Sequence, residues 1–153
     1  MNLTDHISKY CTYGEAIRSD TASRLGIPNT PNEEQLAAMI YVSTEIFDKI
    51  REYVGVPLMA SSFFRSPNLN NSTPGASKTS QHMKGEAIDH YLAGRNADIF
   101  TWVKNHLHEL DVDQMIWEFG TTTEPAWVHI SKVNYRKNKN SNNNEHILKK
   151  YPL

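Results

Sequence analysis

The sequence predicts an α+β fold, a small antiparallel sheet with helices packed on it. Three observations lead there. Residues 31–54 and 97–110 place apolar side chains at helical spacing. Short apolar segments at 57–65, 87–92, 114–119 and 127–131 read as strands, clustered apart from the helices. Neither an internal repeat nor a shift in composition marks a boundary, so residues 1–153 read as a single domain.

Residues 1–30 read as irregular or lightly helical, with a short helix starting in Thr12–Ile17 and a turn at Gly26-Ile27-Pro28-Asn29. Thr30 then suits an N-cap, Pro31 the first helical position, and Glu33 closes a capping box. Leu36, Met39, Ile40, Ile46, Phe47, Ile50 and Val54 form the inward stripe, and Gly55 stops the helix. Pro57 to Arg65 reads as a strand, and Ser66 to Lys78 as a polar loop. A bend at Gly85 precedes the strand ending at Leu92. The second helix turns Ile99, Phe100, Val103, Leu107 and Leu110 inward. Strands Gln114–Phe119 and Trp127–Ser131 follow, joined by a loop containing Gly120 and Pro125. Residues 134–144 read as a polar, mobile tail, with a short helix near Ile147-Leu148.

With 39% hydrophobic and 22% charged residues, the composition is that of an ordinary globular chain. The net charge of −1 provides no global field for nucleic acid or anionic membrane. Lys132, Arg136, Lys137, Lys139, Lys149 and Lys150 leave room for a local basic patch. The single cysteine, Cys11, excludes an internal disulfide and a thiolate metal site, and reads as a small buried residue. No apolar run reaches the length of a membrane span. The N-terminus lacks a basic start and an apolar core, so no secretory signal is expected. Synthesis in the cytoplasm is expected, with release or delivery by another factor.

His82 and Asp89 flank Gly85 in Ser80-Gln81-His82-Met83-Lys84-Gly85-Glu86-Ala87-Ile88-Asp89. Seven residues exceed one helical turn, but a bend at Gly85 lets the two side chains converge. His129, on a later strand, completes two imidazoles and a carboxylate, a frequent ligand set for catalytic zinc. The chain has seven histidines, and most histidines in proteins are surface or satisfied core groups. His6, His90, His106, His108 and His146 are given that reading.

Ser80-x-His82-x-x-Gly85-x-Ala87-x-Asp89, followed by Trp127-Val128-His129, resembles the D-alanyl-D-alanine carboxypeptidase family of zinc peptidases. That family also includes D-Ala-D-Ala dipeptidases and phage L-alanyl-D-glutamate endolysins. The resemblance covers roughly residues 10–133. Ser61 to Asn70 is similar to the carboxypeptidase branch's S-G-Y-R-S-P-x-L-N stretch, and Gln114 to Gly120 to its Q-L-I-W-E-F-G. The resemblance implies His82, Asp89 and His129 as zinc ligands. It implies that Arg65 binds a substrate carbonyl or carboxylate and that Ser80 hydrogen-bonds nearby. Glu118 would orient a ligand or stand as a solvated strand residue, and Trp117 and Trp127 would be packing walls.

The pattern breaks at one position. The family places a general-base carboxylate three residues before the last histidine, where this chain has Ala126. Loss of a general base typically lowers rate by about 10²–10⁴-fold. The Asn70–Ser77 loop also departs from the glycine-rich turn the family would place there.

The resulting expectation is a zinc peptidase acting on peptidoglycan peptides, inactive or impaired in this chain. Ala126 is then an engineered change, or Glu124 or Glu118 replaces the base, or the chain is naturally inactive; the first is the reading adopted. Export through a holin or a delivery apparatus is expected. The alternative is a non-catalytic wall-binding or zinc-stabilised module on the same fold.

Overall fold

The computed structural model describes residues 1–134 and the backbone of residues 147–150. The expectation of a mobile tail over 134–144 lies outside the described residues apart from Asn134, as does the reading of His146.

The N-terminal segment is tied down by one carboxylate. Asp48 accepts from Ser8 Oγ at 2.8 Å, the Lys9 amide at 2.9 Å and the Tyr10 amide at 3.0 Å. Helices α1 (Tyr13–Ile17) and α2 (Asp20–Leu25) follow, capped by Thr12 and Ser19. Gly26 ends α2 in the left-handed conformation.

Helix α3 (Glu33–Val42) begins two residues later than expected. Asn32, not Thr30, is the N-cap, and Gln35, not Glu33, closes the box, with both reciprocal bonds at 2.8 Å. The reason is tertiary. Gln35 Nε2 also donates to the Met83 carbonyl at 3.1 Å, so its amide serves the cap and the turn that follows Ser80. The expected continuous helix widens into a π-helical turn at Ser43–Phe47 before α4 (Asp48–Val54). Ser43 Oγ bonds back to the Met39 carbonyl at 2.7 Å, where the apolar stripe loses its period. Ile40, expected inward, is exposed at the edge of the stripe, whereas Met39, Ile46, Phe47, Ile50 and Val54 are buried.

Strand β1 (Met59–Ser62) is shorter than expected. The polar loop after it contains helix α5 (Pro67–Asn71), started by Ser66 as N-cap and Pro67 in its first turn. A single 3₁₀ turn at Gln81–Lys84 leads through Gly85 into β2 (Ala87–Tyr91). The second long helix splits into α6 (Asn96–Asn105) and α7 (Leu107–Leu110). Strands β3 (Gln114–Glu118) and β4 (Trp127–Ser131) follow. Phe119 (φ 51°) and Gly120 (φ 71°) are left-handed and end β3 one residue early.

Residues 147–150, expected as a short helix, form β5 instead and pair in parallel with β3. The sheet order is β1-β2-β4-β3-β5, with the first four strands antiparallel. Ile88, Ile130 and Met115 pair across β2, β4 and β3 and are fully buried in the main core. His90 and Val128 share that face, where the His90 ring stacks on Phe47. Asp89 and His129 pair on the opposite face, because side chains alternate along a strand. Lys132, counted toward a surface patch, is buried, with Nζ donating to the Leu110 carbonyl at 2.7 Å.

Candidate metal centre

Asp89 and His129 face each other across β2 and β4, and Ile116 continues the row on β3. His82 arrives from the 3₁₀ turn. Gly85 lets this turn close, at φ 73°, against α3. A Cβ there would fall 2.5 Å from the Gln35 carbonyl oxygen and 2.8 Å from Met39 Cγ. Only glycine permits both the conformation and the approach.

The structure brings one ligand atom from each of His82, Asp89 and His129 within 4.8 Å of the others. Asp89 Oδ1 lies 3.3 Å from His82 Nε2 and 3.0 Å from His129 Nδ1. The three residues are only 2%, 8% and 7% exposed, so the cluster is shielded from bulk water. His82 Nδ1 is 2.7 Å from the Phe63 carbonyl, which can only accept. Nδ1 therefore donates to that carbonyl, and Nε2 faces the cluster. Burial works against the Asp89 charge, but His82 and His129 outweigh it and hold the carboxyl well below the usual carboxylate range. Two imidazoles and an ionised carboxylate converging from a rigid sheet and a fixed turn could hold a divalent metal, and this donor set fits zinc.

Arg65 stands beside the cluster. Its amide donates to the His82 carbonyl at 3.2 Å and a terminal guanidinium nitrogen to Ser80 Oγ at 3.3 Å. Ser80 Oγ also accepts from the His82 amide at 3.3 Å, so Ser80 links Arg65 to the metal-site turn. Arg65 Nε is buried without a hydrogen-bond partner. Burial lowers the Arg65 pKa, while the charges of Asp89 and Glu118 oppose that shift. Asn29 holds the backbone on both sides of this arginine. Its Nδ2 donates to the Phe64 carbonyl at 3.0 Å, and its Oδ1 accepts from the Ser66 amide at 2.7 Å. The sequence showed Asn29 only as a turn residue, since nothing local records a partner more than thirty positions away.

The two carboxylates considered as replacement bases have different fates. Glu124 is engaged at the start of α6, accepting from the Asn96 amide at 2.8 Å and the Ala97 amide at 3.3 Å. Glu118, half-buried, is pushed above the usual carboxylate range by burial and by Asp89, with His129 and Arg65 pulling the other way. Its register partner is Trp127, two residues from His129 on the same strand and therefore on the same face. Ala126 contributes a methyl group only, and its amide donates to the Glu118 carbonyl at 2.9 Å. Trp117 is a packing residue, edge-on to Phe100 with its Nε1 on the Thr121 carbonyl. Trp127 packs against the exposed ring of Phe119. His90 makes no part of the cluster. Among the described residues, no helix is long and apolar enough to cross a membrane.

A family model described as Peptidase M15 matches residues 9–131. No curated protein matches the chain.

Proposed function

The chain belongs to the Peptidase M15 family, and on that premise we propose that it is a zinc-dependent hydrolase of amide bonds in bacterial peptidoglycan peptides. The family carries metallopeptidase activity on a peptide substrate. Zinc as the metal is supported by the donor chemistry of His82, Asp89 and His129. The wall peptide is supported by the likeness of the segments around Arg65, His82 and Trp117 to the carboxypeptidase and endolysin pattern. The observation that carries the reading is the convergence of three ligand atoms within 4.8 Å in a buried cluster.

Zinc bound there would polarise a substrate carbonyl and lower the pKa of a water molecule. The protein's own contribution is positional. Arg65 presents a guanidinium to a planar carbonyl or carboxylate, and Ser80 holds that guanidinium against the metal-site turn. The buried Nε of Arg65 is a donor a substrate acceptor would satisfy. Action on the wall follows release through a holin or a delivery apparatus.

The test is digestion of purified peptidoglycan by the zinc-loaded chain, read as newly freed amines and altered muropeptides, beside metal stoichiometry. Zinc-dependent cleavage supports the reading; stoichiometric zinc with intact peptides in both the parent and Ala126→Asp defeats it. A second reading, an impaired enzyme or wall-binding module, is favoured by one observation, the missing carboxylate at Ala126. It requires that Ala126→Asp create cleavage the parent chain lacks, or that wall binding persist with no cleavage by either.

A further inference from the structure

We propose that Glu118 is the proton-transfer carboxylate of this site, supplying from strand β3 what position 126 lacks. The inference rests on the peptidase reading above. Four observations carry it. The β3–β4 register pairs Ile116 with His129 and Glu118 with Trp127, so Glu118 projects on the ligand face, one pleat from His129. Its carboxyl lies within electrostatic reach of Asp89 and His129 in the metal cluster and of Arg65 beside it. No hydrogen bond or ion pair engages that carboxyl among the described residues, whereas both oxygens of Glu124 are taken by α6. Finally, the Ala126 amide is bonded to the Glu118 carbonyl, so the position lacking a carboxylate and the position offering one are neighbours across the strand end.

The step balances without a co-reactant. As a water oxygen bonds to the scissile carbonyl carbon, the Glu118 carboxylate accepts one of its protons. As the C–N bond breaks, Glu118 passes a proton to the departing amine nitrogen and returns to the carboxylate. Under this assignment Ala126 is not a lesion, and the chain is competent as it stands.

The experiment compares the parent chain with Glu118→Gln, Glu118→Asp and Ala126→Asp. Each is measured for zinc affinity by competition with a chromophoric chelator, for melting temperature, and for cleavage of purified peptidoglycan. The expected result is that Glu118→Gln binds zinc within about threefold of the parent and melts normally. Its cleavage falls by about 10²–10⁴-fold, and Glu118→Asp restores part of the loss. Cleavage by Glu118→Gln at the parent rate overturns the proposal. So does a loss of zinc affinity that parallels the loss of rate, which would make Glu118 a ligand-orienting residue. A parent that binds zinc but cuts only after Ala126→Asp overturns the assignment and leaves the peptidase reading intact. Absence of cleavage by every variant removes both.

Discussion

His129 Nδ1 lies 3.0 Å from Asp89 Oδ1, and that same oxygen is 3.3 Å from His82 Nε2. One carboxylate oxygen therefore lies within reach of both imidazoles. Asp89→Asn removes the charge while keeping the shape. Metal affinity should fall by more than the roughly 10–100-fold typical of losing an outer hydrogen-bond partner, as read by chelator competition. The depressed pKa of Asp89 also fixes a sign. Its contribution to the stability of the metal-free chain is present above the ordinary carboxylate range and is lost only as the pH falls into strong acid.

Gly85→Ala should disturb the metal site from outside it. The new Cβ meets the α3 backbone at Gln35 and the strand-entry conformation at φ 73° resists a side chain. A loss of about 1–3 kcal/mol is expected, together with weaker metal binding because the turn carrying His82 must shift. Thermal denaturation and metal titration on one sample check both.

His90 predicts the acid limb of the stability curve. Burial pushes its pKa down to about 4, with the carbonyl of Val128 only partly opposing. A lowered pKa means the unfolded chain binds the proton more readily. The stability contribution is therefore full above about pH 6.5 and declines as the pH falls toward 4, by about 3 kcal/mol at most. Denaturant titrations of the metal-free protein across that window should show the decline, and His90→Phe should flatten it.

Cys11 should be inert. It is fully buried, and burial, reinforced by Glu15 and Asp48, pushes its thiol up to about 12. Iodoacetamide at pH 8.5 should label it only in denaturant, as mass spectrometry will read directly.

Glu124 should behave as a helix cap. Glu124→Ala removes the acceptor for the Asn96 and Ala97 amides and should lower stability by about 0.5–2 kcal/mol. Zinc affinity should stay near that of the parent. A large loss of zinc binding would show that this carboxylate reaches the cluster.

The two long helical segments and the four antiparallel strands were legible because their apolar periods are set locally by burial on one face. The three clustering residues were legible for a different reason: the histidine–glycine–aspartate spacing encodes the bend itself. Where the reading missed, long-range partners decided. Asn32 won the cap over Thr30 because Gln35 also reaches Met83. The expected single helix is interrupted by a π-helical turn at Ser43–Phe47, and Ile40 faces solvent. Residues 147–150 became a strand because β3 offered an open edge, which no local helical signal can anticipate. Helix α5 was missed although Ser66-Pro67 is a sound start signal; the surrounding asparagines and serines outweighed it. Glu118 and Glu124 were indistinguishable in sequence, and their separation required knowing which one the start of α6 had captured.

The asparagine at position 29 has a consequence for selection among substrates. By holding the Phe64 carbonyl and the Ser66 amide, it makes the backbone at Arg65 a fixed mount. Under the proposed function, a guanidinium that starts from a fixed backbone has a limited reach, and its span from the metal cluster would act as a ruler for the peptide. A peptide whose acceptor sits too near or too far would leave the buried Nε unsatisfied and be selected against by geometry.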